Sequence, residues 1–387
     1  MKIADFIKIA IENNASDLHL KAGSFPILRI SGELKPLTQF PRLSAENTQD
    51  LVDQITNDAQ KEQLKTDLDM DLAYTLEGFG RFRGSILHQR GSLAIALRII
   101  PLEIMSIREL YLPEILGRLS LEKRGLILVT GSTGSGKSTT LAAMINNINL
   151  NQSSHIITIE DPIEFIHLDK KCLISQREVG KDVVGFARGL RAALREDPDV
   201  ILVGEMRDKE TIETALLAAE TGHLVLSTLH TVDATETINR IVSVFPPFHQ
   251  RQIRIQLSST LRAVISMRLI PKKEGEERVP AVEVMINTPF IAECIHDKEK
   301  TNSIRDAIER GASQYNMQTF DQSIFKLYKT GLISFEQGLA YASSPDDFKL
   351  KAMGVRSSLD MAMEDIEKQI EKDTEEKGEN EAEEEEN

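Results

Sequence analysis

Eight residues in the first half of the chain carry the sharpest chemical signal. Gly131-Ser132-Thr133-Gly134-Ser135-Gly136-Lys137-Ser138 has the spacing G-x-x-x-x-G-K-S/T of a phosphate-binding loop. Glycines at these places let backbone amides wrap phosphate oxygens, and the lysine supplies charge toward the β and γ phosphates. The serine after the lysine is placed to bind Mg²⁺. Such a loop works only between a strand and a helix, and both are present: Leu126–Thr130 is an aliphatic run, and Ser138–Ala143 opens a helical pattern. ATP is therefore expected on Gly131, Ser132, Thr133, Gly134, Ser135, Gly136, Lys137, Ser138 and Thr139, with Mg²⁺ at Ser138.

Hydrolysis needs a carboxylate that orients water and a group that neutralises charge on the transferring phosphoryl. Glu160-Asp161-Pro162-Ile163-Glu164 follows an aliphatic run, Ile156–Glu160, so its acids leave a strand end where ligands bind in doubly wound sheets. Glu205 ends a second run, Val200–Gly204, and contact with the metal through a water suits it better than direct ligation. His223 and His230 bracket a third run, Leu224–Leu229, and are candidates for sensing the γ phosphate. Arg81, Arg83 and Arg98 are candidate arginine fingers.

These residues need an α/β scaffold. From Gly125 onward, short aliphatic runs alternate with helical ones, the pattern of a parallel sheet covered on both faces. After Asp208, Ile212, Ala215, Leu216 and Ala219 follow helical spacing, and a long amphipathic helix is expected from about Gln250 to Met267. The first hundred residues read as a smaller α+β unit. It has a helix around Phe6–Asn13, strands near Leu18 and Ile27–Ile30, a helix around Leu51–Leu64, and strands Asp69–Leu76, Arg81–Gln89 and Leu93–Ile99. The expected organisation is residues 1–100 as the N-terminal domain, 101–119 as linker, 120–290 as the ATPase domain, 291–352 as a helical region and 353–387 as an acidic tail.

Composition narrows the function classes. The chain has 387 residues, 41% of them apolar, and its net charge is −14. From Glu364 to Asn387 there are 13 acids and 3 lysines, a net of −10 that leaves −4 for the remainder. A run so poor in apolar residues cannot offset its ordering entropy and is expected to be disordered. The remainder shows neither a basic stripe nor an aromatic stacking platform, which argues against nucleic acid as a partner. The apolar runs are far too short to span a bilayer, and the N-terminus lacks the layout of a secretory signal, so a cytoplasmic protein is expected. Cys172 and Cys294 are read as buried small apolar side chains.

Five stretches together resemble one family. Ala15–Leu20, the loop Gly131–Thr139, the acidic box Ile159–Phe165, the stretch Leu194–Asp208 and the segment Ala219–His230 are similar to the secretion ATPase superfamily. Within it they resemble the type IV pilus retraction ATPases of the PilT/PilU family. The resemblance spans about residues 1–350. It implies a PAS-like N-terminal domain, a RecA-like P-loop ATPase domain and a homo-hexameric ring. It further implies a catalytic role for Glu164, magnesium assistance from Glu205, nucleotide-linked roles for His223 and His230, and N-domain arginines at Arg81 and Arg83. A second retraction ATPase and an inner-membrane platform protein at the pilus base are the implied partners, with no insertion into the membrane. The retraction branch carries the motif Ala-Ile-Arg-Asn-Leu-Ile-Arg-Glu, whereas this chain has Phe290–Asp297, which leans toward the PilU-like accessory branch. A nucleic-acid translocase and a non-hydrolysing assembly subunit are the competing classes.

Overall fold

The structure, a computed structural model, describes residues 1–354 except 31, 77, 78, 101–103 and 276. The chain divides into two units, one of residues 1–104 with 164–168 and one of the rest. The acidic tail expected from 353 lies outside the described residues from 355 onward.

In the first unit, α1 (Ile3–Glu12), β1 (Asp17–Lys21), β2 (Ile27–Ile30), β3 (Glu33–Pro36), α2 (Ala45–Ile55), α3 (Asp58–Asp67), β4 (Asp69–Leu76), β5 (Gly80–Gln89) and β6 (Ser92–Ile99) follow in order. The strands form an antiparallel sheet, β3-β2-β1-β6-β5-β4. One face is apolar because alternate residues point to it: Phe82 and Ile86 of β5, Ile95 and Leu97 of β6, and Leu18 and Leu20 of β1. Ile3, Phe6, Ile7 and Ala10 of α1 join the same core. Gly84 shares this face because a Cβ there would stand 2.8 Å from Leu72 and 2.9 Å from Leu97. The single helix expected over 51–64 is two, since Thr56 is extended and Asn57 starts α3 with a capping box to Gln60.

The second unit begins with α4 (Ile115–Ser120) and alternates β7 (Gly125–Thr130), α5 (Lys137–Asn151), β8 (His155–Glu160), β9 (Leu173–Glu178), α6 (Phe186–Ala193), β10 (Val200–Val203), α7 (Lys209–Glu220), β11 (Leu224–Leu229), α8 (Ala234–Ser243) and α9 (Pro247–Thr260). It closes with β12 (Leu261–Pro271), β13 (Arg278–Ile286), α10 (Pro289–His296), α11 (Ile304–Arg310), α12 (Ala312–Tyr315), α13 (Phe320–Lys329), α14 (Phe335–Tyr341) and α15 (Pro345–Ala352). The sheet order is β13-β12-β7-β11-β10-β8-β9, parallel throughout except for the antiparallel β13. Every residue of β7, β10 and β11 is buried, as a sheet covered on both faces requires. Side chains of α5 pack into the core on one face, and those of α6 to α9 into the core on the other. A third cluster seats Phe320, Ile324 and Phe348 on Ile270, Val279 and Ala281.

The helix expected from Gln250 to Met267 is corrected: α9 stops at Thr260, and Leu261 begins a strand. β12 pairs with β7 on one side and β13 on the other, so Ala263–Met267 is buried throughout, and ladder pairing overrides the helical spacing.

Candidate nucleotide site

The phosphate loop lies between β7 and α5, as its spacing requires. Gly131 has φ 143°, and a Cβ there would stand 2.5 Å from Ser135 Oγ and 2.6 Å from the Met267 carbonyl oxygen, so only glycine fits. Gly134 and Gly136 also have positive φ, at 75° and 96°. Gly136, at the N-cap of α5, has no side chain to cap that helix, whose N-terminal end faces the loop. Lys137 is buried, and its Nζ donates to the Gly131 and Ser132 carbonyls at 2.9 Å each, which holds the ammonium within the loop. Ser135 Oγ is buried and has no hydrogen-bond partner. A helix N-terminus without a side-chain cap, a held ammonium and an orphaned hydroxyl in a cradle that excludes a Cβ at Gly131 fit a phosphate group. Ser138 and Thr139, in the first turn of α5, are half-buried.

Four neighbouring parallel strands, β7-β11-β10-β8, end in a row, and the predicted residues follow these ends. Gly131 follows β7, His230 follows β11, Glu205 follows β10 by one residue and Glu160 closes β8. The row is cross-tied. The Gly204 amide donates to the Ile159 carbonyl at 2.8 Å, Thr228 Oγ1 donates to the Gly204 carbonyl at 2.6 Å, and the Met206 amide donates to the Thr228 carbonyl at 3.2 Å. Glu205, with only 15% of its side chain exposed, pairs with Arg207 Nε at 2.6 Å and with His230 Nε2 at 3.6 Å. Burial and then the Lys137 ammonium lower the His230 pKa, against an upward pull from Glu205 and with a further lowering from Arg207. Glu160 Oε1 accepts from Thr158 Oγ1 at 2.6 Å and from Gln176 Nε2 at 3.2 Å, so its carboxylate is anchored.

Not every predicted residue joins this row. His223 precedes β11, at the opposite end of the strand from His230. Six residues of strand separate the two ends by roughly 20 Å. Its Nδ1 lies 2.9 Å from the Ala218 carbonyl, and its own carbonyl accepts the Gly125 amide at the start of β7. Within one chain His223 therefore closes the α7-β11 turn, away from the loop, because strand length puts bracketing residues on opposite edges of the sheet. Glu164 is exposed, four residues beyond β8, and falls with the first unit. Arg81 and Arg83 lie in β5 of the first unit, on the face opposite Phe82. Arg83 borders a cavity of about 180 Å³ with Asp17, Asp71, Ser85 and Arg98. Arg98 is engaged there, its Nε 3.0 Å from Asp17 Oδ1.

Arg207 and Gln176 were not anticipated. Arg207 was legible as a charge two residues past Glu205. Gln176 was not, since it lies on β9, a strand whose polar sequence carries no run of apolar residues. Cys172 and Cys294 are buried and free, as expected. Among the described residues no helix is long and apolar enough to cross a membrane, and no three acidic, histidine or cysteine side chains converge as a metal site.

Comparison with known proteins places these features in a family. The family described as "Type II/IV secretion system protein" matches residues 2–338. The chain is 46% identical over 348 residues to the type IV pilus retraction ATPase PilT of Pseudomonas aeruginosa, covering 90% of this chain and 100% of that protein. It is 41% identical over 350 residues to the type IV pilus ATPase PilU of the same organism, with 90% and 91% covered. Among solved structures, the crystal structure of the pilus retraction motor PilT with bound ADP superposes with a TM-score of 0.81 at 50% identity, covering 90% of this chain and 98% of that one. With its phosphate loop and its row of polar strand ends, the chain belongs to the type II/IV secretion system protein family and is a PilT/PilU-type ATPase within it.

Proposed function

We propose that this protein is a cytoplasmic ATPase motor that powers retraction of a type IV pilus. The observation that carries this reading is the alignment of the phosphate loop, His230, Glu205 and Glu160 on four adjacent strand ends, in a chain that spans the whole of a pilus retraction ATPase at 46% identity. Gly131–Thr139 hold the phosphates of ATP, with the α5 amides and Lys137 countering their charge. Ser138, assisted by Glu205, would hold Mg²⁺, and that ion would supply further neutralisation of the phosphates. Glu205 is itself held by Arg207 and His230, which fixes its carboxylate at the strand end. Glu164 orients the attacking water, and Arg81 and Arg83 stabilise charge on the transferring phosphoryl. The working form is a homo-hexamer at the pilus base that acts on an inner-membrane platform protein. Its domains are an N-terminal PAS-like domain over 1–100, a linker to 119, an ATPase domain to 290 and a helical region to 352.

A second reading, an accessory PilU-like motor dependent on a partner ATPase, is favoured by α10. Its sequence departs from the retraction motif, and Phe290 is exposed there. Phosphate release by the purified chain, compared with Lys137→Ala, tests the enzyme claim. Release at least about 100-fold above the variant is expected for a charge that binds the transferring group. Equal release from both would leave only an assembly subunit. Fibre withdrawal in a deletion strain, with and without a second motor, separates the two branches.

A further inference from the structure

β13 carries one carboxyl group into the interior. Glu283 is 6% exposed, between Val282 and Val284, in a strand buried from Val279 to Met285. A carboxyl in such a place needs partners. Its Oε1 accepts the Ala234 amide at 2.9 Å, and Ala234 is the first residue of α8. The turn before it is tied to the same helix. Asp233 accepts the Glu236 amide at 2.7 Å, Glu236 Oε2 accepts the Val232 amide at 2.8 Å, and the Thr231 and Thr237 hydroxyls lie 2.7 Å apart. Each residue from Thr231 to Ala234 is thus bound to the first turn of α8, which Glu283 ties to the sheet. His230 comes immediately before this turn. Glu283 also pairs in register with Ser266, and Ser266 with Thr130, whose hydroxyl donates to Ser266 Oγ at 3.0 Å just before Gly131.

We propose that Glu283 is a positioning residue of the ATPase site: by holding the Ala234 amide it fixes the Thr231–Ala234 turn, and with it the place of His230 beside Glu205. The inference rests on the reading of His230 and Glu205 as part of that site. The groups that face Glu283 are Asp233, the N-cap of α8, Arg268 from β12 and Arg305 from α11. Burial, the leading cause, pushes the carboxyl up to about 7, opposed by the Ala234 amide, reinforced by Asp233 and opposed again by Arg268 and Arg305. A carboxylate grips a helix N-terminal amide more strongly than a neutral carboxyl does. The hold on the turn therefore tightens as pH rises through about 7.

The test is steady-state ATP turnover against pH for the full chain, Glu283→Gln, Glu283→Ala and Lys137→Ala, with binding of a fluorescent ADP analogue in parallel. Wild-type kcat should rise about 2- to 5-fold through neutrality, the worth of a charge at a helix terminus. Glu283→Gln keeps size and acceptor but cannot ionise, so its kcat should stay at the wild-type acid-side value through that window, with KM and analogue affinity unchanged. Glu283→Ala, which lacks the acceptor, should fall below Glu283→Gln at every pH. A Glu283→Gln profile that keeps the neutral rise, or a loss of analogue binding in that variant, overturns the proposal. Turnover in Lys137→Ala equal to wild type would instead remove the site reading on which it rests.

Discussion

His230 sits among three charges, and their balance sets its protonation. Burial, Lys137 and Arg207 disfavour the imidazolium, and Glu205 favours it. The lowering prevails, so the ring is neutral at neutral pH and charges only below its ordinary 6.5. Protonation on the acid side would strengthen the pull on Glu205, 3.6 Å away, and compete with other uses of that carboxylate. His230→Gln should therefore lose the acid limb of the kcat profile while ADP-analogue affinity stays within about 3-fold, since it leaves the loop amides untouched. An acid limb unchanged in that variant would assign the limb to another group. Glu164→Gln should keep ATP binding and lose turnover by about 100-fold or more, because it retains size and removes the carboxylate. Activity near wild type would move the role to another acid such as Glu160. At this scale the sequence was most legible where chemistry is local: the loop Gly131–Ser138 needs only eight consecutive residues. The place of His223 was not legible, because six residues of strand carry it to the other edge of the sheet, a separation that adjacency to an apolar run does not express.

Elements place these residues through their ends. α7 starts where Asp208 accepts the Thr211 amide at 2.9 Å and its hydroxyl at 2.7 Å, and the same residue closes the Glu205–Asp208 segment. Loss of that cap by Asp208→Ala should cost about 1 kcal/mol in urea unfolding, and it should lower turnover as the Glu205–Arg207 pair loosens. A stable variant with unchanged turnover would show that the cap does not position Glu205. The strands β7, β8, β10 and β11 were legible because continuous aliphatic runs in a parallel sheet have few other uses. β12 was not. Its residues continue the helical spacing of α9, and what ends the helix is pairing with β7 and β13, partners more than a hundred residues upstream and a few residues downstream. The same strand backs the phosphate loop, since the Met267 carbonyl lies where a Gly131 Cβ would fall and Met267 Sδ lies 3.0 Å from Thr140 Oγ1. One misread strand thus concealed both the support of the loop and the place of Glu283.

The fold as a whole inherits a pH dependence from Glu283. In the folded chain its carboxyl titrates at about 7 and in the unfolded chain near its ordinary 4.5. Between these values the folded chain holds a proton that the unfolded chain has released, so stability falls as pH rises through the window and levels off above about 7. Below 4.5 the contribution is fully present. The whole difference is on the order of 3–4 kcal/mol, at 1.36 kcal/mol for each pKa unit. Other groups titrate over the same range, and the comparison that isolates this one is wild type against Glu283→Gln in urea unfolding at about pH 5 and pH 8. Glu283→Gln should gain relative to wild type on going to the higher pH, because it carries no charge to bury. A constant difference between the two proteins would mean that the carboxyl is ionised throughout in the fold. The cost of burying it and the hold on the Thr231–Ala234 turn have one origin: the carboxylate that strains the core in neutral solution is the form that grips Ala234 most firmly. On this reading, the protein gives up stability near neutrality where its ATPase site gains order.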